Sequence, residues 1–320
     1  MAQPPERTGV DPPEPKRSAG SAGLTVREAI TIGAMELAAS PSTSSRLDCE
    51  LILAHVLGVS RTQLLAHPEI ELSPNDEGCF RSSIQRRQQG VPVAYLIGKR
   101  PFHRVELSVG PGALVPRPET EFLVEWTITW LKRRSAIAST TIVDAGTGSG
   151  AIALALANEM GADTSTIVGV DNSPEAMGWA TTNRSALGLR SRVHLVLGNL
   201  LDWTSGPIDL VLANLPYLRP EQVDSNWELS AEPREALVGG SDGLASIRRL
   251  VADTGRVLSQ EGAIALEIDP EQSADVSALF GKHLPDARTS VLSDLSGLDR
   301  FVVAERKLGF DHTGPVSDVT

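Results

Sequence analysis

The heptapeptide Asp144–Gly150, DAGTGSG, constrains what this 320-residue chain can fold into more than any other stretch. It follows a short apolar run, TTIV, and precedes AIALALANEM, a segment of strong helical character. Three glycines at alternate positions let the backbone turn sharply from strand to helix, and they allow N–H groups and the helix N-terminus to approach a polar ligand. The next apolar run, STIVGVD, closes on Asp171, where a carboxylate at the end of a strand can accept both hydroxyls of a ribose. The pair predicts a strand–turn–helix–strand unit that holds a nucleotide-like cofactor. Gly146, Gly148 and Ala151 also satisfy the dinucleotide pattern G-x-G-x-x-G/A, so the turn alone does not separate a nicotinamide from S-adenosylmethionine.

The rest of the chain sorts into three kinds of sequence. From Thr25 to about Gln89, apolar residues recur at spacings of three and four, with breaks at Pro41, Gly58, Pro68 and Pro74. That period predicts four or five short amphipathic helices, a small bundle. Residues 90–120 alternate β-branched and polar positions around Phe102–Val109 between prolines and glycines, which predicts a β-hairpin leading into a loop. After Glu121, strand candidates at Thr141–Asp144, Thr166–Asp171, Val193–Leu197, Leu210–Ala213, Ala263–Ile268 and Arg300–Ala304 are interleaved with helices around Ala151–Met160, Pro174–Ser185, Gly243–Leu258 and Asp269–Phe280. Such alternation builds a mostly parallel sheet covered by helices on both faces. Met1 to about Ala22 is rich in Pro, Gly and Ser with no apolar stretch, and reads as a disordered tail; residues 308–320 read as another.

A second motif supplies the chemistry. Asn214–Leu215–Pro216–Tyr217 follows the run IDLVLA, at the C-terminal edge of a strand beside the glycine turn. An amide or exocyclic amine is a weak nucleophile because its lone pair is delocalised. The Asn214 side-chain oxygen and a main-chain carbonyl of the loop can accept both of its N–H groups, leaving the lone pair facing a sulfonium methyl. Pro216 stiffens the turn, and Tyr217 offers a flat surface to a planar group. Such a reaction needs neither metal nor strong base, and together with the acid at Asp144 and the third glycine at Gly150 it favours S-adenosylmethionine as the cofactor.

Net charge is -11, and the basic clusters Arg86–Arg87, Lys99–Arg100 and Lys132–Arg134 are small, which argues against a large polyanion as partner. No run of eighteen apolar residues is present to span a membrane. Cys49 and Cys79 lack Cys or His partners at metal spacing and read as ordinary thiols, with no metal site and a reducing, cytoplasmic compartment.

With both motifs placed, the chain resembles the protein-glutamine methyltransferases that modify the GGQ loop of bacterial peptide chain release factors. The resemblance runs from about Leu24 to Arg306 and rests on PVAYLIGKRPFHRVELSVGPGALVPRPETE, DAGTGSGAIALALA and EPREALVGGSDGLASIRRL, the first being the most specific. It implies a Rossmann-like, mostly parallel sheet of seven strands (121–307), a helical release-factor-recognition domain (23–90) and a β-hairpin linker with an active-site loop (91–120). It further implies that Gly146, Thr147, Gly148, Ser149 and Gly150 hold the methionine end of S-adenosylmethionine and Asp171 the ribose. Asn199 and Leu200 would lie at the adenine, Arg117 and Glu119 would line or close the site, and Asn214, Leu215, Pro216 and Tyr217 would hold the glutamine side chain. The partner implied is a release factor, met by a monomer with no direct nucleic-acid contact.

Two positions depart from that family's pattern. Leu215 stands where its loop usually has proline, and Asn199 where it usually has an acid. The carbonyl assigned to the first survives in leucine; the second keeps an acceptor without its charge. NLPY as spelled here is also typical of ribosomal-RNA adenine dimethylases, so an adenine-amino methyltransferase stays open, as does a cofactor-binding module without activity. A nicotinamide oxidoreductase rests on the glycine pattern alone.

Overall fold

The computed structural model describes residues 23–134, 140–161 and 165–306; the tails expected at 1–22 and 308–320 lie outside them. Five helices come first: α1 (Val26–Ala38), α2 (Ser45–Leu57), α3 (Arg61–Ala66), α4 (Pro74–Gln88) and α5 (Val93–Ile97). Their starts follow from local chemistry. Thr25 and Glu28 form a reciprocal capping box at α1, Ser60 and Gln63 another at α3, and Pro74 opens α4 behind its Ser73 cap. Val26, Leu37, Ile52, Leu53, Phe80 and Ile84 fill a core of their own.

The helical unit extends further than the sequence pattern suggested. Residues 93–97, expected as the start of the hairpin, form α5, which Gly98 ends in a left-handed cap. This short helix straddles two cores: Val93 and Leu96 pack against the N-terminal helices, whereas Ala94 and Tyr95 belong to the core of the larger domain. The antiparallel hairpin of β1 (Lys99–Phe102) and β2 (Val105–Ser108) follows, with Phe102, Val105 and Leu107 also buried in that larger core.

α6 (Glu121–Arg133) then leads into alternating elements: β3 (Thr141–Ala145), α7 (Ala151–Glu159), β4 (Thr166–Asp171), α8 (Pro174–Ala186), β5 (Val193–Leu197), β6 (Ile208–Ala213), α9 (Pro220–Asp224), α10 (Ala245–Val257), β7 (Leu258–Glu267), α11 (Ser273–His283), β8 (Ala287–Ser293) and β9 (Asp299–Arg306). The seven-stranded sheet has the order β5-β4-β3-β6-β7-β9-β8, parallel from β5 to β7, with β9 antiparallel to both β7 and β8. Successive residues of β3 point to opposite layers, Ile142 into one apolar cluster and Val143 into the other, so both faces are covered. β8 has no counterpart among the six strand candidates. As the edge strand it exposes or half-exposes every residue, so its sequence carries no apolar run to find it by.

One cation ties the helical unit to the larger domain. Arg87, 5% exposed, donates from Nε to Asp48 Oδ2 at 2.8 Å and from an Nη to Glu228 Oε1 at 3.0 Å, and its guanidinium lies 4.7 Å from the centre of the Trp227 ring. Breaking a buried pair from one side leaves the other charge uncompensated. Arg87→Met is therefore expected to cost about 3 kcal/mol of stability in urea denaturation, most of it from the buried Asp48; an unchanged midpoint would contradict this.

Candidate active site

The strand order itself selects the place. β4 and β5 step away from β3 toward one edge and β6 and β7 toward the other, so the loops leaving β3 and β6 diverge and open a crevice at the strands' C-terminal ends. A cavity of ≈410 Å³ lies there, lined by Gly146 and Gly148 after β3, Asp171, Asn172 and Ser173 after β4, Asn199 and Leu200 after β5, and Asn214, Leu215 and Pro216 after β6. A second cavity of ≈230 Å³ adjoins it, walled by Arg117, Tyr217, Leu218, Asn226, Glu228 and Leu229 among others. Leu114, Asn214, Leu215 and Ala236 belong to both walls, so the NLPY loop stands at the junction.

The glycine turn is held differently from the sequence-based expectation that its N–H groups face a ligand. Gly146 N and Thr147 N both donate to Val170 O (2.8 and 2.9 Å), Gly148 N to Asp171 Oδ2 (2.8 Å) and Gly150 N to Thr147 O (2.8 Å). The first three amides lock the turn to β4 and the fourth closes the turn on itself, and Gly146 and Gly150 also permit close packing, since a Cβ there would stand 2.8 Å from the Leu215 side chain and 2.7 Å from that of Leu154. Thr147, Ser149 and Gly150 lie behind the cavity wall rather than in it. Asn183 of α8, which sequence reading did not single out, donates from Nδ2 to Ser149 O and Ser108 O and accepts from Ser108 N, tying turn, helix and hairpin together.

Asp144 closes the turn from below. Its Oδ2 accepts from Thr147 Oγ1 (2.6 Å) and Ala153 N (3.1 Å), while Oδ1 is buried without a hydrogen-bond partner among the described residues. Burial pushes its pKa up to about 6 against these hydrogen bonds. Since the folded value lies above the ordinary one near 3.8, this group's contribution to stability is greatest below pH 4 and is lost as pH rises through 6, on the order of 1 kcal/mol per pH unit within that window. Asp144→Asn keeps the shape and removes the buried charge. It is expected to unfold at higher urea than the wild type at pH 7.5, with the gap narrowing at pH 5; a gap that does not depend on pH would contradict this.

Asp171 accepts Gly148 N on one oxygen and Ser173 N (2.9 Å) on the other, and retains lone pairs on a group that faces the cavity. Burial raises its pKa, and those two backbone donors oppose the rise. No protein atom lies within 4 Å of where a Cβ on Gly148 would stand, so that position of the wall is open. A cavity of this size, lined by the Asp171 carboxylate and by the Asn199–Leu200 turn, has the room and an acceptor for a nucleoside carrying an amino-acid tail. Leu200 holds that turn in a left-handed conformation (φ 49°), its carbonyl accepting from Trp203 Nε1 at 3.0 Å.

The NLPY loop is buttressed from below. Asn214 Nδ2 donates to Thr120 Oγ1 (2.8 Å), Thr120 Oγ1 donates to Glu267 Oε2 (2.6 Å), and Tyr217 OH donates to Glu267 Oε1 (3.1 Å). Burial raises the Glu267 carboxyl above the ordinary range against these two hydroxyls, and it raises the Tyr217 phenol, with the Glu267 charge adding to the second rise. Leu215, 5% exposed, is packed in the apolar cluster on that face of the sheet, which anchors the position that proline would otherwise stiffen. Its main-chain carbonyl receives no hydrogen bond from the described residues. Gly243 (φ 76°) lies so close that a Cβ there would stand 2.2 Å from Tyr217 O, so the GGSDGL segment clamps the loop's far side.

Arg117 lines the second cavity and pairs with Glu232, a 6%-exposed carboxylate that also accepts Val115 N at 2.9 Å. Glu119 is exposed and belongs to neither cavity wall, although its charge helps raise Glu267. Thr120, Glu232 and Glu267 were not singled out from sequence. Thr120 sits inside the PETE stretch, the one local signal that could have led to it.

Comparison with known proteins agrees with this division of the chain. Residues 28–98 match a family model described as the PrmC N-terminal domain, and residues 138–290 match a methyltransferase domain. The chain is 35% identical over 293 residues to a release factor glutamine methyltransferase of Agrobacterium fabrum, covering 90% of this chain and 99% of that protein. It is 36% identical over 286 residues to one of Moorella thermoacetica, covering 89% and 99%. A solved protein-(glutamine-N5) methyltransferase of Alicyclobacillus acidocaldarius is 28% identical, covers 63% of this chain and 99% of its own, and superposes with a TM-score of 0.38.

Proposed function

This chain belongs to the release factor glutamine methyltransferase family, and from that membership we propose that it transfers a methyl group from S-adenosylmethionine to the side-chain amide nitrogen of the GGQ glutamine of a peptide chain release factor. The observation that carries the reading is the position of Asn214 and Leu215 in the walls of both cavities, where a cofactor-sized space meets a smaller one. The larger cavity takes the cofactor, with Asp171 at the ribose, Asn199 and Leu200 toward the adenine and Gly146 and Gly148 along the remaining wall. The smaller takes the glutamine side chain.

Bound S-adenosylmethionine supplies an electrophilic methyl on a sulfonium. The residues of the chain do the positioning. Asn214 Oδ1 and the Leu215 carbonyl accept the two amide hydrogens, which fixes the nitrogen at the mouth of the larger cavity with its lone pair free. Both acceptors would stabilise the positive charge that grows on the nitrogen as the methyl carbon leaves sulfur for nitrogen, with S-adenosylhomocysteine as the leaving group and the surplus amide proton released to water. Tyr217, held by Glu267, lies along the planar amide, and Arg117, held by Glu232, stands at the wall where the main chain of the substrate loop would pass. The helical unit of α1 to α5 is the part available to dock the body of the release factor.

The test is incubation with methyl-labelled cofactor and a purified release factor, with ribosomal RNA in a parallel reaction, followed by mass mapping. Label on the glutamine amide nitrogen is the expected result. Label on an adenine amine, or on no residue of the release factor, would overturn the reading.

A further inference from the structure

The geometry points to Thr120 and Glu267 as positioning residues: together they decide which atom of the Asn214 amide faces the substrate. The inference rests on the proposed function and deepens it, because an asparagine can serve as an acceptor for an N–H only if its oxygen, and not its NH₂, is turned to the cavity. The two ends of a side-chain amide have almost the same shape, so packing alone does not choose between them.

Two hydrogen bonds make the choice. A threonine hydroxyl has a single proton. Ionised, Glu267 is acceptor-only and takes that proton at 2.6 Å, so Thr120 Oγ1 has only lone pairs left for its other neighbour. Asn214 approaches Oγ1 at 2.8 Å and must present Nδ2 to it, which turns Oδ1 away from Thr120. The second oxygen of Glu267 takes the hydroxyl proton of Tyr217 and fixes the other polar group of the loop in the same way.

The fold makes this arrangement reproducible. β6 and β7 pair in parallel with Ala213 opposite Leu266, which sets Glu267 level with Asn214, one residue past the end of the ladder. Thr120 ends the short 3-10 turn Pro118–Thr120 immediately before α6, and it is 4% exposed. Glu267 is 2% exposed, so neither group can exchange its partner for solvent. A buried carboxylate is costly in an apolar layer, and here one of its oxygens holds Tyr217 of the NLPY loop directly and the other holds Asn214 through Thr120.

Thr120→Val keeps the branched shape and deletes the hydroxyl; Thr120→Ser keeps the hydroxyl. With the full-length chain and a release factor, Thr120→Val is expected to lower kcat about 10- to 100-fold, with the Kd for S-adenosylhomocysteine and the KM for release factor unchanged. Thr120→Ser should return kcat to within about threefold of wild type, the loss of one methyl being small beside the loss of the relay. Should Thr120→Val not fold, Thr120→Ala carries the same expectation. Protein labelled with ¹⁵N-asparagine gives a readout that needs no substrate. The side-chain signals of Asn214, identified by their absence in Asn214→Ala, should include one protected, slowly exchanging proton in wild type and Thr120→Ser, and none in Thr120→Val.

Retention of wild-type kcat by Thr120→Val, an equal loss in Thr120→Ser, or Asn214 signals indifferent to the substitution would each overturn the relay. If wild type itself places no methyl on glutamine, the function proposed above falls, and the asparagine spectra still decide whether the relay exists.

Discussion

Asn214→Ala is expected to lower kcat for release-factor methylation about 10²- to 10³-fold, the scale found when one preorganised polar group is removed from a developing charge. The substrate amide would keep the Leu215 carbonyl as acceptor and lose the other, so its nitrogen could rotate out of line with the methyl. Cofactor affinity should change little, because Asn214 is one of many residues along the larger cavity and stands at its junction with the smaller one. Single-turnover transfer measured beside calorimetric titration of S-adenosylhomocysteine separates the two effects. Turnover near the wild-type rate would remove Asn214 from the chemistry, and an equal loss of cofactor binding would make it a cofactor ligand instead.

Asp171→Ala is expected to do the reverse at the other end of the site. Hydrogen bonds to a charged acceptor are worth about 1.5–3 kcal/mol each, and loss of both ribose hydroxyl contacts should raise the Kd for S-adenosylhomocysteine about 10²- to 10⁴-fold. The substitution also strips Gly148 N and Ser173 N of their acceptor, so the turn itself loosens. Asp171→Asn separates these contributions: one oxygen remains for one backbone donor, and the affinity loss should be intermediate. At saturating cofactor the remaining kcat should be close to that of wild type, since Asp171 lines the larger cavity and is absent from the wall of the smaller one. A Kd unaffected by Asp171→Ala would exclude the carboxylate as the ribose acceptor.

Much of this architecture was legible in the chain because its main signals are local. The run TTIV, the glycines behind it and the helix AIALALANEM occupy one contiguous stretch, and the central parallel strands β3, β4 and β6 are largely buried on both faces, so each reads as an apolar run. Asp171 and Asn214 could be placed because each ends such a run. Non-local features were silent. Glu267 is one of several acids in EGAIALEIDPE, and only the register of β7 against β6 brings it level with Asn214. Glu232 acquires meaning from Val115 and Arg117, more than a hundred residues earlier. Within the turn, sequence gave five candidate ligands without telling which side chains face inward: Thr147 turns to Asp144, and only Gly146 and Gly148 reach the cavity wall. The edge strand β8 escaped because a strand with one neighbour and a solvated flank needs no apolar run.

The contact of Arg87 with Trp227 and Glu228 has a further meaning. Asn226, Glu228 and Leu229 form part of the smaller cavity, and the stretch that carries them is fastened to the first ninety residues by one guanidinium and by the hydrogen bond from Trp227 Nε1 to Gln88 O. The helical unit therefore shapes the receiving end of the site as well as offering a surface to a partner. Chimeras that exchange this unit between relatives must carry the arginine and its aromatic seat as a matched set, or the smaller cavity is assembled without one of its sides.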